Sequence, residues 1–170
     1  MNEVTDKSVV IIDAVRSPVG RVGGALASIR PDDLLSYVLE ALVERTGIDP
    51  AMVEDVYAGA ANQSGEDNRD VARMALLLAG FPKEVAGVTV NRLCSSGLEA
   101  VNQAAKSIIV GEADIYIGGG VESMSRAPWA MAKPERAYPI GNPKVYDSML
   151  GWRFENPRMD AMYPIISLGE

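Results

Sequence analysis

Short apolar runs alternate with helical patterns along most of this chain, and this alternation limits the possible folds more than any other feature. Four runs are typical of buried strands, and they occupy residues 8–15, 56–58, 88–90 and 115–117. A strand, a helix and a second strand in succession normally form a right-handed parallel crossover. The sequence therefore predicts an α/β fold with a mostly parallel sheet and helices on both faces.

The clearest helical pattern begins at Pro31, because proline suits the first position of a helix. Asp32 and Asp33 follow, and acidic side chains are favourable near the positive end of the helix dipole. Apolar residues then recur at helical spacing and form one stripe: Leu34, Leu35, Val38, Leu39, Leu42 and Val43. Gly47 is expected to end this helix.

Two stretches follow strands of the predicted sheet. The polar loop at residues 62–68 is expected to be a solvated connection, with Asn68 as the N-cap of the next helix. Residues 118–120 are three glycines, which are expected to let the backbone leave the sheet in a tight turn. Glu122 is expected to bond backbone groups around those glycines rather than to transfer a proton.

The only cysteine, Cys94, lies between the third predicted strand and a helical pattern. The first N–H groups of a helix lack internal partners and carry the positive end of its dipole, so this position favours thiolate over thiol. Ser96 and Glu99 fit a capping box, which would place Cys94 just ahead of the cap, and Gly97 leaves space for a substrate. These residues alone leave two alternatives open, a nucleophile and a small buried apolar residue.

Composition excludes several other functions. The 170 residues carry 16 basic and 23 acidic side chains, a net charge of −7 that argues against nucleic-acid binding. No apolar stretch is long enough to cross a membrane, and no metal site is expected. One cysteine permits no internal disulfide, as in a reducing compartment, and the polar, acidic N-terminus resembles no presequence. We therefore expect a cytoplasmic location.

Four motifs, in this order, resemble the thiolase family, the acyl-CoA C-acyltransferases. They are DAVRSPVGRVGGAL at residues 13–26, GAANQSGEDNRDVARMALLLAG at 59–80, NRLCSSGLEAV at 91–101 and GGGVESMSRAPW at 118–129. The resemblance runs from about Val9 to the last residue. A related condensing enzyme, such as a ketoacyl carrier-protein synthase, shares the strand-cysteine-helix arrangement, but GGGVESMS favours a thiolase.

The resemblance implies that Cys94 takes an acyl group from a 3-oxoacyl-CoA, releases acetyl-CoA and passes the acyl group to a second CoA. Condensation is the same path in reverse. The backbone N–H of Cys94 is then one donor to the oxyanion, CoA and acyl-CoA are substrates, and no cofactor is tightly bound. The family also implies a homodimer or homotetramer, with the strand at residues 87–90 where subunits meet and the loop at 62–68 near that interface. Two segments, GEDNRDVARMALLLAG and GWRFENP, resemble thiolases of aromatic-acid degradation and suggest an oxoadipyl-CoA substrate.

The resemblance covers only part of a thiolase. In the family a catalytic histidine and a second catalytic cysteine lie in the C-terminal half, and this chain has no histidine and one cysteine. We therefore expect a thiolase-like N-terminal portion, incomplete and inactive alone. Residues 1–120 would be a partial core domain, and the proline-rich residues 121–170 would begin the inserted loop domain that contributes to acyl-CoA binding. A non-catalytic fragment that only folds or associates is the remaining alternative.

Overall fold

The computed structural model describes residues 8–167, and a three-stranded parallel sheet lies at its centre. The strands are β1 (Asp55–Gly59), β2 (Ala86–Val90) and β3 (Tyr116–Gly120), with β1 in the middle of the order β2-β1-β3. Because both pairings are parallel, Gly59 lies opposite Val90 and Gly120, and the carboxyl ends of all three strands meet at one edge. The predicted α/β class is confirmed.

Three main helices cover the strands, and the second and third of them also connect successive strands. They are α1 (Pro31–Thr46), α2 (Val71–Leu78) and α3 (Ser96–Val110). Helix α1 begins and ends as predicted, because Pro31 occupies its first turn and Gly47 adopts a left-handed φ of 66° that closes it. The Gly47 N–H donates to the Val43 carbonyl over 2.8 Å.

The helices cover both faces of the sheet, as predicted. On one face the Tyr57 hydroxyl lies 3.2 Å from the Ser107 hydroxyl of α3. On the other face Val56 is 1% exposed and packs in a core built mainly from α1, α2 and β1. That core also contains Leu35, Leu39, Ala58, Val71, Ala72, Ala75 and Leu76. Alternate residues of β1 therefore reach different helices, as a doubly covered strand requires.

The three glycines at residues 118–120 lie within β3, so the prediction of a tight exit from the sheet is wrong. A Cβ added at Gly118 would be 2.9 Å from Cα of Val101, and one at Gly120 would be 2.5 Å from the Gly59 carbonyl oxygen. The glycines let α3 and the neighbouring backbone approach the strand closely.

Helix α2 begins at Val71, two residues after the predicted boundary, and its N-cap is Asp70 rather than Asn68. Asn68 and Arg69 have left-handed φ values of 53° and 69°. The chain therefore has to turn before it can enter the helix. The Asp70 carboxylate accepts hydrogen bonds from the Arg73 N–H at 3.3 Å and from the Thr89 hydroxyl at 2.8 Å.

Residues 8–15 form no strand, so this part of the prediction is also wrong. Val10, Ile11 and Ile12 are 72%, 79% and 76% exposed. A cavity of about 1100 Å³ is lined by this segment and by β3, α1 and α3. An apolar run becomes a strand only where a neighbour's backbone accepts its hydrogen bonds, and no strand between residues 8 and 167 pairs with it.

The proline-rich region has little regular structure, as expected. It contains a short antiparallel pair, β4 (Trp129–Met131) with β5 (Val145–Asp147), a 3-10 turn (Met124–Arg126) and a short helix, α4 (Pro157–Asp160). Most of its residues are exposed, but Ser148 is buried and bonds the Pro128 carbonyl. This region bonds to itself around the β4–β5 pair and is also tied to the loop after β1, because Asn62 Nδ2 donates to the Ser148 carbonyl at 3.1 Å.

Candidate active site

Cys94 lies on the turn that joins β2 to α3, as the sequence predicts. Strand β2 ends at Val90 and helix α3 begins at Ser96, so the thiol stands just before the helix at the carboxyl edge of the sheet. The cysteine is unpaired and exposed to solvent. It is therefore accessible to a reactant, and the alternative of a buried apolar cysteine does not describe it.

Two side chains fix the backbone of this turn. The Asn91 Oδ1 accepts from the Leu93 N–H at 2.8 Å. The Ser96 Oγ accepts from the Arg92 N–H at 2.8 Å and donates to the Leu93 carbonyl at 2.6 Å. Leu93 has a φ of 50°, which is strained for a residue with a branched side chain. These hydrogen bonds hold the strained residue immediately before the thiol.

The predicted capping box does not form. Ser96 is the first residue of α3, the cap is Ser95, and the Ser95 side chain makes no capping hydrogen bond. Glu99 instead accepts from Nε of Arg92 at 2.9 Å and from Gln103 at 2.7 Å, and these bonds lower the pKa of Glu99. Ser96 cannot cap the helix because its hydroxyl already bonds the preceding turn.

Glycine at the end of β1 allows the start of α3 to lie directly on the sheet. A Cβ at Gly59 would come within 2.2 Å of the Ser96 carbonyl carbon and 2.4 Å of the Gly97 nitrogen. For Gly97 the nearest neighbour of an added Cβ is the Gly119 oxygen at 3.9 Å. An added Cβ at Gly97 would therefore be in ordinary van der Waals contact with β3, and the approach of a substrate beside Gly97 stays a prediction. No partner of the Cys94 N–H occurs among residues 8–167.

The loop after β1 is tied to the cysteine turn and to Glu122. The Glu122 carboxylate accepts from the Ala61 N–H at 2.7 Å and from the Asn62 N–H at 3.2 Å. The Asn91 Nδ2 donates to the Ala61 carbonyl at 3.0 Å. Glu122 therefore bonds backbone groups, as predicted, but those groups follow β1 instead of lying around the glycines of β3.

The loop at residues 62–68 is more than a solvated connection, so that prediction needs correction. Its Glu66 carboxylate pairs with Arg126 and, at 3.5 Å, with Arg30. These arginines hold the pKa of Glu66 below its usual value, Arg126 more strongly. Asp67 is 7% exposed, and burial, together with the carboxylates of Glu122, Asp32 and Glu66, raises its pKa to about 6. Three charged side chains, Glu66, Arg30 and Arg126, thus join the loop to the residue before α1 and to the segment after β3.

The sequence analysis singles out Cys94 as a candidate nucleophile but gives no role to Asn91. A signal was present, because an asparagine often hydrogen-bonds the backbone two residues further on. The large cavity beside residues 8–15 does not include Cys94 among its lining residues, but Glu122 lines it, so the cavity reaches the segment after β3 that is tied to the candidate site. Among the described residues, no group of three or more histidine, cysteine, aspartate or glutamate side chains could hold a metal ion.

Together, these features define an α/β protein with an exposed thiol at the carboxyl edge of a parallel sheet. The family model described as "Thiolase, N-terminal domain" matches residues 9–159. The chain belongs to the thiolase family, and the resemblance seen in its motifs is confirmed.

Similar proteins agree with this assignment. The chain is 54% identical over 165 residues to the beta-ketoadipyl-CoA thiolase of Pseudomonas knackmussii, covering 96% of this chain and 41% of that protein. It is 50% identical over 161 residues to the 3-oxoadipyl-CoA/3-oxo-5,6-dehydrosuberyl-CoA thiolase of Escherichia coli, covering 94% and 40%. The crystal structure of the Bacillus anthracis acetyl-CoA acetyltransferase matches with a TM-score of 0.74 and 39% identity, covering 79% of this chain and 34% of that one.

The chain therefore spans about two fifths of the length of these curated relatives. Across residues 8–167 no helix is both long enough and apolar enough to cross a bilayer.

Proposed function

We propose that this chain carries the nucleophile of an acyl-CoA C-acyltransferase, and that Cys94 is that nucleophile. The observation that carries the proposal is the position of the exposed thiol, on a hydrogen-bonded turn directly before α3. A thiolate near the start of a helix is stabilised by the helix dipole and attacks carbonyl carbons readily. The match to the thiolase family supports this reaction class.

The proposed cleavage has two stages. The Cys94 thiolate attacks the 3-oxo carbon of a 3-oxoacyl-CoA, the bond between carbons 2 and 3 breaks, and its electron pair passes to carbon 2, which takes up a proton. Acetyl-CoA leaves, and the acyl group stays on Cys94 as a thioester. The thiol of a second CoA then loses its proton and attacks the thioester, which frees the Cys94 thiolate. Condensation reverses these steps.

The oxyanion that forms in each stage needs hydrogen-bond donors directed at it. We assign one to the Cys94 N–H, which has no partner among residues 8–167. The general base is not assigned to this chain, because none of its 170 residues is histidine. CoA and acyl-CoA act as substrates in this proposal, with no tightly bound cofactor.

We assign residues 1–120 to the core domain and residues 121–170 to the start of the loop domain that contacts acyl-CoA. The β4–β5 pair supports this division, because it is a sheet of its own and does not extend the parallel sheet of the core. We further propose assembly as a homodimer or homotetramer. The exposed single thiol favours a reducing compartment, and we propose the cytoplasm.

The names of two relatives favour a dicarboxylic acyl chain. The proteins from Pseudomonas knackmussii and Escherichia coli are described as thiolases of beta-ketoadipyl-CoA and 3-oxoadipyl-CoA. We propose the same class of substrate here, a 3-oxoacyl-CoA that ends in a second carboxylate.

The test is covalent trapping. The full-length enzyme is incubated with 3-oxoadipyl-CoA without free CoA, quenched in acid and digested, and its peptides are analysed by mass spectrometry. We expect a succinyl thioester on the Cys94 peptide, no such adduct in Cys94→Ala, and its loss when CoA is added before quenching. An adduct on another residue, or none in the wild type, would show that Cys94 is not the nucleophile.

A further inference from the structure

We propose that Glu122 and Asn91 are positioning residues for the Cys94 thiol and act through the peptide groups of Ala61 and its neighbours. The inference rests on the proposed nucleophile. It concerns three segments, one after each strand of the sheet, that converge at its carboxyl edge. Neither side chain is assigned contact with the substrate.

The first step joins Glu122 to the loop after β1. Its carboxylate oxygens accept from two successive amides, Ala61 at 2.7 Å and Asn62 at 3.2 Å. Hydrogen bonds from backbone N–H groups to an ionised carboxylate are shorter and stronger than neutral ones. The loop after β1 is therefore anchored to the segment after β3 by a charged acceptor.

The second step joins that loop to the turn of the cysteine. The Ala61 carbonyl accepts from Nδ2 of Asn91 at 3.0 Å, while Oδ1 of the same side chain accepts from the Leu93 N–H at 2.8 Å. Both ends of the Asn91 amide are thus used, and its orientation is fixed by one donor and one acceptor. The chain of bonds ends one residue before Cys94.

The third step is mechanical. Leu93 has a φ of 50°, a conformation that costs free energy and persists only where its surroundings hold it. The bond from its N–H to Asn91 is one of the bonds that hold it. Without Asn91, or with Ala61 displaced by the loss of Glu122, Leu93 can relax and carry the thiol away from the start of α3. Loss of either side chain should therefore slow reactions of the thiol, because both losses release Leu93.

The single cysteine makes this testable without any enzyme assay. The 170-residue chain contains one thiol, so its rate of alkylation by iodoacetamide reports on Cys94 alone. We would measure the second-order rate constant at one pH for Asn91→Ala, Glu122→Gln and the double variant, under native conditions and in urea. We expect each single variant to react about threefold or more slowly than wild type when native, and the double variant no more slowly than the slower single variant. All should react equally in urea.

Two exposed residues supply matched controls. Asn102 lies on the surface of α3 and Glu135 lies between β4 and β5, and the control variants are Asn102→Ala and Glu135→Gln. Both should leave the native rate unchanged. Unchanged rates in Asn91→Ala and Glu122→Gln would overturn the proposal. Effects that multiply in the double variant would overturn it too, because they would show that Glu122 does not act through Asn91. A role only in stability would lower the unfolding midpoint without changing the native alkylation rate.

The outcome is separable from that of the proposed function. In the full-length enzyme the two variants should lower kcat for thiolysis and leave KM for CoA unchanged. Suppose that trapping shows no acyl adduct on Cys94 while both single variants still alkylate more slowly and the double variant is no slower than the slower of them. In that case the positioning holds and the proposed reaction is wrong. If the adduct forms but alkylation is unaffected, the reaction holds and the positioning is wrong.

Discussion

Among the residues that the structure describes, Asp67 has the carboxyl group whose pKa is shifted most. It is 7% exposed, and burial, with the nearby carboxylates of Glu122, Asp32 and Glu66, raises its pKa from 3.8 to about 6. The folded state therefore binds this proton more tightly than the unfolded state does. In the window between about pH 4 and pH 6, this group makes the folded state less stable as the pH rises.

We expect Asp67→Asn to be more stable than wild type at pH 7, by about 1–2 kcal/mol, since it removes the cost of a buried charge. It should also lose the part of the pH dependence that arises between pH 4 and pH 6. Urea unfolding at four pH values across this window measures both effects. The exposed Asp114→Asn is the control and should follow wild type. A variant less stable than wild type at pH 7 would contradict the assigned cause.

Single residues were predictable where local sequence determines them. The sequence places Cys94 between a strand and a helix because an apolar run and a helical stripe flank it, and the structure contains both elements. The capping box predicted for Ser96 is wrong, because its spacing to Glu99 fits that motif while its hydroxyl bonds Arg92 and Leu93, which lie before it. Which of two local bonds a serine makes depends on how α3 sits on β1, and the sequence pattern does not contain that packing.

At the scale of elements, the close contact between β3 and α3 depends on Gly118 having no side chain. A Cβ at Gly118 would lie 2.9 Å from Cα of Val101, whereas one at Gly119 would meet nothing within 4 Å. We expect Gly118→Ala to lower the free energy of unfolding by about 1–3 kcal/mol, because the backbone of α3 must move. Gly119→Ala, in the same strand, should cost nothing measurable. Chemical denaturation of the two variants compares them, and equal stability would show that α3 tolerates the shift.

Element types were predicted better than element partners. The helix from Pro31 to its end at Gly47 follows from its own residues, because proline, acidic side chains and glycine act locally. The segment at residues 8–15 has an equally clear strand composition, yet it stays without a strand partner beside the cavity. Strand formation needs hydrogen bonds from a second segment, and no local pattern supplies these.

At the scale of the whole molecule, the 170 residues should show no thiolase turnover when assayed alone, even with Cys94 intact. The chain has no histidine, and each general acid or base is typically worth a factor of about 10² to 10⁴. Losing two or more such groups should bring the rate to background. The assay is acetoacetyl-CoA cleavage with free CoA, run beside the full-length enzyme and its Cys94→Ala variant. Turnover by the short chain that depends on Cys94 would reveal a base within these residues.

The order of strands in the sheet also has a kinetic consequence. Asp55 pairs with Ala86, about 30 positions later, and with Tyr116, about 60 positions later. Each doubling of a loop costs only about 0.6 kcal/mol more in closure entropy, but contacts this distant in sequence form slowly. Pairing of β1 with β2 closes the shorter loop, and β3 must dock before Glu122 can reach the Ala61 amide. The turn that holds Cys94 would then be among the last features to mature during refolding, so the reactivity of the thiol would report the end of the process.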